Sequence, residues 1–288
     1  MRIDSISREA PVLLAGPTAS GKSALAMELS ARDGRLIVNA DALQAYENWR
    51  ILTARPSLAD EAALPHALYG HVARDQTYSV GHWLREVAPL LHRPVVIVGG
   101  TGLNFNALTR GLAEVPDVPA TIRAEADARR AAEGHAALLA ELDPASAARI
   151  DRQNPVRIQR AWEVLRATGR GLADWQHDTP APLLALPQAD ALVLVPEVGW
   201  LNARIDRRFQ EMLTEGALNE AQANLAGWDP RRPSSKAIGG PDLIAHLRGE
   251  ISLEAATEAA TLASRQYAKR QRTWFRSNMK GWRQLSLP

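Results

Sequence analysis

The chain has 288 residues and no cysteine, so it is long enough for a large α/β domain or a core with a second lobe, and it excludes disulfides, thiolate catalysis and cysteine-bound zinc. Residues 1–10 carry Arg2, Asp4, Arg8 and Glu9 without an apolar run, and no stretch approaches the length of a membrane span, so a soluble cytoplasmic protein is expected. The net charge of +2 is unevenly spread: from Ser264 onward there are seven Lys and Arg and no Asp or Glu, a block suited to an anionic partner or to plain solvation.

The first apolar run, Val12-Leu13-Leu14-Ala15, is too short for a helix and reads as a buried strand. It leads into Gly16-Pro17-Thr18-Ala19-Ser20-Gly21-Lys22-Ser23 and then a helical pattern over 23–32. Strand, glycine loop and helix in register are the context in which G-x-x-x-x-G-K-[ST] binds phosphate. The glycines let backbone N–H groups wrap the anion, the helix presents its positive end, Lys22 adds a mobile charge, and the Ser23 hydroxyl is placed to ligate Mg²⁺.

A second run, Leu36-Ile37-Val38, ends at Asn39-Ala40-Asp41. Asp41 then sits at the carboxyl edge of the sheet, as a metal ligand, a general base or a helix cap. A helical pattern over 80–91 precedes the third run, Val95-Val96-Ile97-Val98, which is followed by Gly99-Gly100-Thr101-Gly102. That segment reads equally as a ligand contact with Thr101 as donor and as a tight turn. Strands alternating with helices predict a parallel sheet with crossover helices.

Pro116 and Pro119 open a stretch that runs to Pro187 with helix formers and no strand signal. Residues 120–132 stop at Gly134, and a helix over 156–168 starts at Asn154-Pro155 and stops at Gly169. The expected organisation is a P-loop α/β core, 1–115 with 188–288, interrupted by an all-helical insertion over 116–187. A fourth strand follows, Ala191-Leu192-Val193-Leu194-Val195. In the next helix Leu201, Ile205, Phe209 and Met212 share one face and Arg204 and Arg208 another, as a phosphate clamp or as a solvated face paired with Glu211 and Glu215. The last helix, about 253–275, places Arg265, Lys269, Arg272 and Arg276 in one basic stripe. His66 and His71 lack a second metal ligand at helical spacing, and the eight tryptophans read one by one as packing anchors.

Several blocks, in order along the chain, resemble the tRNA dimethylallyltransferase family, also called tRNA isopentenylpyrophosphate transferases, of bacterial type. They are the P-loop, then Asp41-Ala42-Leu43-Gln44-Ala45-Tyr46, Thr53-Ala54-Arg55-Pro56 and Val98-Gly99-Gly100-Thr101-Gly102-Leu103. Asn154-Pro155-Val156-Arg157-Ile158-Gln159-Arg160-Ala161-Trp162-Glu163-Val164 and Arg265-Gln266-Tyr267-Ala268-Lys269-Arg270-Gln271-Arg272-Thr273-Trp274 complete the set. The resemblance implies a P-loop fold that does not hydrolyse ATP. Its cradle, Gly16 to Ser23, would hold dimethylallyl diphosphate, with Mg²⁺ as cofactor. The prenyl group would go to the exocyclic amine of the adenosine just 3′ of the anticodon, a base flipped out of its loop.

By the same resemblance Asp41 is the general base, Thr101 touches the target nucleotide or the bridging oxygen, and Arg208 holds the diphosphate. Asp41, Ala42, Leu43, Gln44 and Thr101 would meet the base. The remaining contacts to the tRNA anticodon stem-loop would come from Arg123, Val156, Arg157, Arg160, Lys236, Gly239, Arg265, Lys269 and Arg272. Departures from the family pattern are Arg55, Asn104, Gly240 and Pro241, none of which is the proposed base or part of the P-loop. Two rival readings exist: a small-molecule P-loop kinase, which leaves the basic last helix unexplained, and a nucleotide-gated RNA-binding switch, which gives Asp41 no task beyond metal binding. A monomer is expected.

Overall fold

The computed structural model describes residues 3–287. It falls into two compact units, one of residues up to 109 with those from 184 onward, the other of 110–183.

The larger unit begins with β1 (Val12–Ala15), α1 (Lys22–Asp33) and β2 (Leu36–Asn39). It continues through α2 (Leu58–Ala63), β3 (His66–Ala67), α3 (Val80–Val87), β4 (Val95–Gly99) and α4 (Gly102–Arg110). The smaller unit holds α5 (Ala120–Glu133), α6 (His135–Ala140), α7 (Pro144–Arg149), α8 (Pro155–Thr168) and α9 (Leu172–His177). The chain then returns through β5 (Asp190–Pro196), α10 (Val198–Thr214), α11 (Ala217–Leu225), α12 (Gly240–Leu247), α13 (Leu253–Asn278) and β6 (Arg283–Leu287).

Six parallel strands form one sheet in the order β3-β2-β4-β1-β5-β6. Both faces are covered. Leu13, Val38 and Ile97 pack into a cluster with Trp83, Phe105 and Trp282, while Leu14, Ile37 and Val96 face Leu25 and Leu29 of α1. A strand buried on both sides has no polar face, so these strands read in the sequence as unbroken apolar runs.

Helix ends follow the local chemistry. The Asn154 side chain accepts from the N–H of Arg157, Pro155 fills the first turn, and Gly169 closes α8 at φ 68. Such a cap contributes about 1 kcal/mol. The helix expected over 80–91 ends at Val87 and tightens into a 3₁₀ turn, because Pro89 has no N–H to continue the ladder.

Two strands lie outside the four apolar runs. β3 is a two-residue edge strand, and β6 carries Arg283, Gln284 and Ser286. Arg283 pairs with Asp190 at 3.0 Å, so this cation serves the sheet edge. The smaller unit begins at 110 and ends at 183, against 116 and 187 from the sequence. The return is earlier because the Leu184 N–H already donates to the Leu108 carbonyl at 3.2 Å and its side chain packs in the sheet core. Within this unit α5, α6 and α8 close around Ala126, Leu138, Ile158, Ala161 and Trp162.

Candidate active site

β1 lies between β4 and β5, so the loops leaving β1, β4 and β2 share the carboxyl edge of the sheet, where open α/β sheets bind ligands. The loop after β1 turns through Ala19 at φ 61 and Gly21 at φ 88, with the Ser20 N–H donating to the Pro17 carbonyl at 3.2 Å. Left-handed backbone at Gly21 carries no Cβ penalty and points the orphan N–H groups of the first turn of α1 into the loop. Lys22 is buried, with Nζ 3.5 Å from the Pro17 carbonyl, and the Ser20 hydroxyl is buried without a hydrogen-bond partner. Ser23 lies exposed at the mouth of the loop.

Asp41 is held by a net of short bonds. Its N–H donates to Asn39 Oδ1 at 2.7 Å, its carbonyl accepts from Asn39 Nδ2 at 2.9 Å, and its carboxylate accepts from the Leu43 N–H at 3.2 Å. The Thr101 hydroxyl accepts from the Ala42 N–H at 3.0 Å, and the Thr101 N–H donates to the Ala40 carbonyl. The two loops touch because Gly99 has no side chain: a Cβ there would stand 2.2 Å from the Ala40 backbone. The Asp41 carboxylate and Thr101 are therefore one unit, built on two neighbouring strands. Gln44 is buried, its amide donating to the carbonyls of Thr53 and Ala54.

Thr18, Ala19, Lys22, Ser23, Asp41, Leu43, Gln44 and Arg208 line a single cleft. Burial pulls the Lys22 ammonium down to about 8, with Asp41 opposing and Arg208 reinforcing the shift. Burial also lowers the pKa of Arg208, as does Arg204, against Glu211, Glu215 and Asp41. Two desolvated cations facing a shared space are a site for an anion of more than one charge. Arg204 and Arg208 share a pocket with Lys22 and Ser23 of the phosphate loop; Arg204 also stacks over the Trp200 ring at 5.3 Å, Arg208 reaches the cleft, and it is Arg207 that pairs with Glu211.

Sequence reasoning passed over Tyr267 and Gln271 of α13. Tyr267 lines the same cleft, and burial raises its pKa, with Asp41 adding to the effect and neighbouring Thr101 and Gln271 opposing it. Gln271 is buried and bonded to both phosphate loop and Gly100. Both residues fall within a block that resembled the family, yet only helical phase against the cations could have assigned them to an inner face.

None of the remaining candidates is among the residues that line the cleft. Lys269 is exposed and Arg272 half-buried on α13, while Arg265 is ion-paired with Asp206 of α10. Lys236 is exposed in a 3₁₀ turn, and Gly239, at φ 88, starts α12 against Phe209. In the smaller unit Arg123, Val156, Arg157 and Arg160 are exposed, the last three beside a surface pocket shared with Arg149. Among the departures, Asn104 is buried in α4, and Arg55 lies where a side chain on Gly70 would stand. Gly240 packs its backbone near Trp49 and Trp228, with Pro241 in the first turn of α12.

The family described as IPP transferase matches residues 44–278. A tRNA dimethylallyltransferase of Cereibacter sphaeroides is 63% identical over 290 residues, spanning 100% of this chain and 92% of that protein. A tRNA isopentenylpyrophosphate transferase from Bacillus halodurans superposes with a TM-score of 0.68 at 30% identity, over 96% of this chain and 90% of its own. A eukaryotic dimethylallyltransferase acting on tRNA shares the fold, with a TM-score of 0.81 at 22% identity over 96% of this chain and 73% of its own. With a family match over most of its length and relatives of this identity, the chain belongs to the IPP transferase family.

Proposed function

We propose that the protein transfers a dimethylallyl group from dimethylallyl diphosphate to the exocyclic amine of the adenosine 3′ of the anticodon in tRNA, releasing diphosphate. The observation that carries this reading is the convergence of the phosphate loop, Lys22 and Arg208 with Asp41 on one cleft, with Thr101 bonded to the Ala42 N–H beside Asp41. One side suits a diphosphate and the other an amine that must lose a proton.

The C1–O bond of the prenyl diphosphate breaks and a C–N bond forms. The amine proton passes to the Asp41 carboxylate, and the electron pair of the broken bond leaves with the diphosphate. Lys22, the loop N–H groups and Arg208 stabilise that departing charge in a water-poor setting. The buried Ser20 hydroxyl gives the loop a further donor without a competing protein partner. The Ser23 hydroxyl is an oxygen donor on the same cleft and suits a hard cation carried in by the diphosphate, since Mg²⁺ commonly takes one or two protein ligands beside phosphate oxygens. Ser23 would hold the Mg²⁺, which neutralises the charge growing on the leaving group.

The exposed cations Arg123, Arg157, Arg160, Lys236 and Lys269 and the half-buried Arg272 are read as contacts to the tRNA backbone, with Val156 as an apolar neighbour. Gly239 is read with them as a close backbone approach. All the named groups come from one chain, so a monomer suffices, and tRNA as acceptor makes the cytoplasm the expected compartment. No helix among the described residues is long and apolar enough to cross a membrane.

The test is to incubate the protein with unmodified tRNA, Mg²⁺ and dimethylallyl diphosphate, then digest the product to nucleosides. Prenylated adenosine from the position 3′ of the anticodon is expected. Prenylation elsewhere, or none, would overturn the reading.

A further inference from the structure

We infer that Gln271 is a positioning residue that fixes the phosphate loop against the loop bearing Thr101, and so sets the separation of the two reactants. The inference rests on the proposed transfer reaction.

Gln271 is 5% exposed and lies on α13, remote in sequence from both of its partners. Its Oε1 accepts from the Thr18 N–H at 2.8 Å, and its Nε2 donates to the Gly100 carbonyl at 3.0 Å. The partners fix the polarity of the amide, since only an acceptor satisfies the first and only a donor the second. The Thr18 N–H is thereby committed to the protein. Gln271 also fills the space beside Gly100: a Cβ there would meet Nε2 at 2.3 Å and Asp41 Oδ2 at 3.1 Å. One helical turn earlier, Tyr267 lies beside Thr101 and Gln271, and one turn later the Trp274 ring lies where a Cβ on Gly102 would stand. The inner face of α13 is thus a splint across both loops.

Positioning of this kind acts on the rate more than on binding, because a displacement of about 1 Å between reacting groups costs on the order of 10²-fold. Gln271→Leu leaves a buried donor and a buried acceptor without partners. Gln271→Glu keeps the acceptor for Thr18 but, when ionised, sets a carboxylate oxygen against the Gly100 carbonyl. When protonated it supplies the missing donor. The groups facing that position are the Asp41 carboxylate and the Tyr267 hydroxyl, with Lys22 and Arg208 across the cleft. The nearby anion and the burial raise the pKa of the introduced carboxyl, which brings its protonation within reach of an assay.

The experiment measures kcat and KM for wild type, Gln271→Leu and Gln271→Glu between pH 5.5 and 7.5, with diphosphate affinity determined beside them. Gln271→Leu should lower kcat by about 10- to 100-fold, with the KM for tRNA within about threefold of wild type. The Gln271→Glu rate, taken as a ratio to wild type, should rise about fivefold or more as the pH falls across that range. Parallel pH profiles, or a loss confined to KM, would overturn the positioning role. If wild type transfers no prenyl group, the reaction reading fails by itself. Gln271 is then judged on affinity for Mg²⁺-diphosphate: a weakened Gln271→Leu keeps the splint, and an unchanged one removes it.

Discussion

At the scale of single residues, Asp41 and Lys22 carry the opposing demands of the site. Asp41 is oriented through its own backbone and a cap-like bond to Leu43, so removing its charge leaves the loop framework in place. Asp41→Asn should lower transfer by about 10²–10⁴-fold while tRNA affinity stays near wild type. A filter-binding curve shifted as far as the rate would make the residue structural. Lys22 is charged when protonated, and burial holds its pKa near 8. In the free protein the charge is lost as the pH rises through that value, so diphosphate affinity should weaken above it and be fully present below. Titration calorimetry from pH 7 to 9.5 checks this, and a flat affinity across the window would mean that the lysine charge is not what holds the anion. Asp41 stood in the sequence as one of three kinds of residue. Its link through Ala42 to Thr101 forms only once the fold brings β2 and β4 together, so no local pattern in the sequence reports it.

At the scale of elements, α13 does two jobs on two faces. Tyr267, Gln271 and Trp274 face the loops, while Lys269 and Arg276 face outward. The basic stripe was legible in the sequence because charge and helical period are both local. Its inner face was not, since the Thr18 N–H lies far away along the chain and no local period reports it. The stripe itself is uneven, for Arg265 is tied to Asp206. Replacing Lys269 and Arg272 with Gln should weaken tRNA binding and reduce the slope of log affinity against log salt by roughly one unit per lost phosphate contact. Arg265→Gln should change that slope less. Equal slopes for all three proteins would return the stripe to solvent. The strands show the same division. β1, β2 and β4 were readable as apolar runs buried on both faces, whereas β6 mixes Arg283, Gln284 and Ser286 with two leucines and is a strand because β5 offers it an edge.

At the scale of the whole molecule, the larger unit closes on itself where the chain leaves and returns. The Leu184 N–H reaches the Leu108 carbonyl, so 110–183 can be excised with its ends already adjacent. Joining residue 109 to 184 through a short glycine bridge should leave a core that unfolds cooperatively and still binds Mg²⁺-diphosphate, while prenyl transfer to tRNA falls steeply. Calorimetry and a transfer assay on the same preparation test this, and a core that fails to fold would show the helical unit to be part of its stability. The P-loop was the clearest sequence signal, yet by itself it is shared by chemistries that move a phosphoryl group and chemistries that let diphosphate leave. What separates them here is the set of groups opposite the loop, and stoichiometry tests that distinction most directly. A reaction containing the protein, unmodified tRNA, Mg²⁺, dimethylallyl diphosphate and ATP should release one diphosphate for each prenylated adenosine and leave ATP intact. ADP or phosphate appearing without prenylated adenosine would contradict the account.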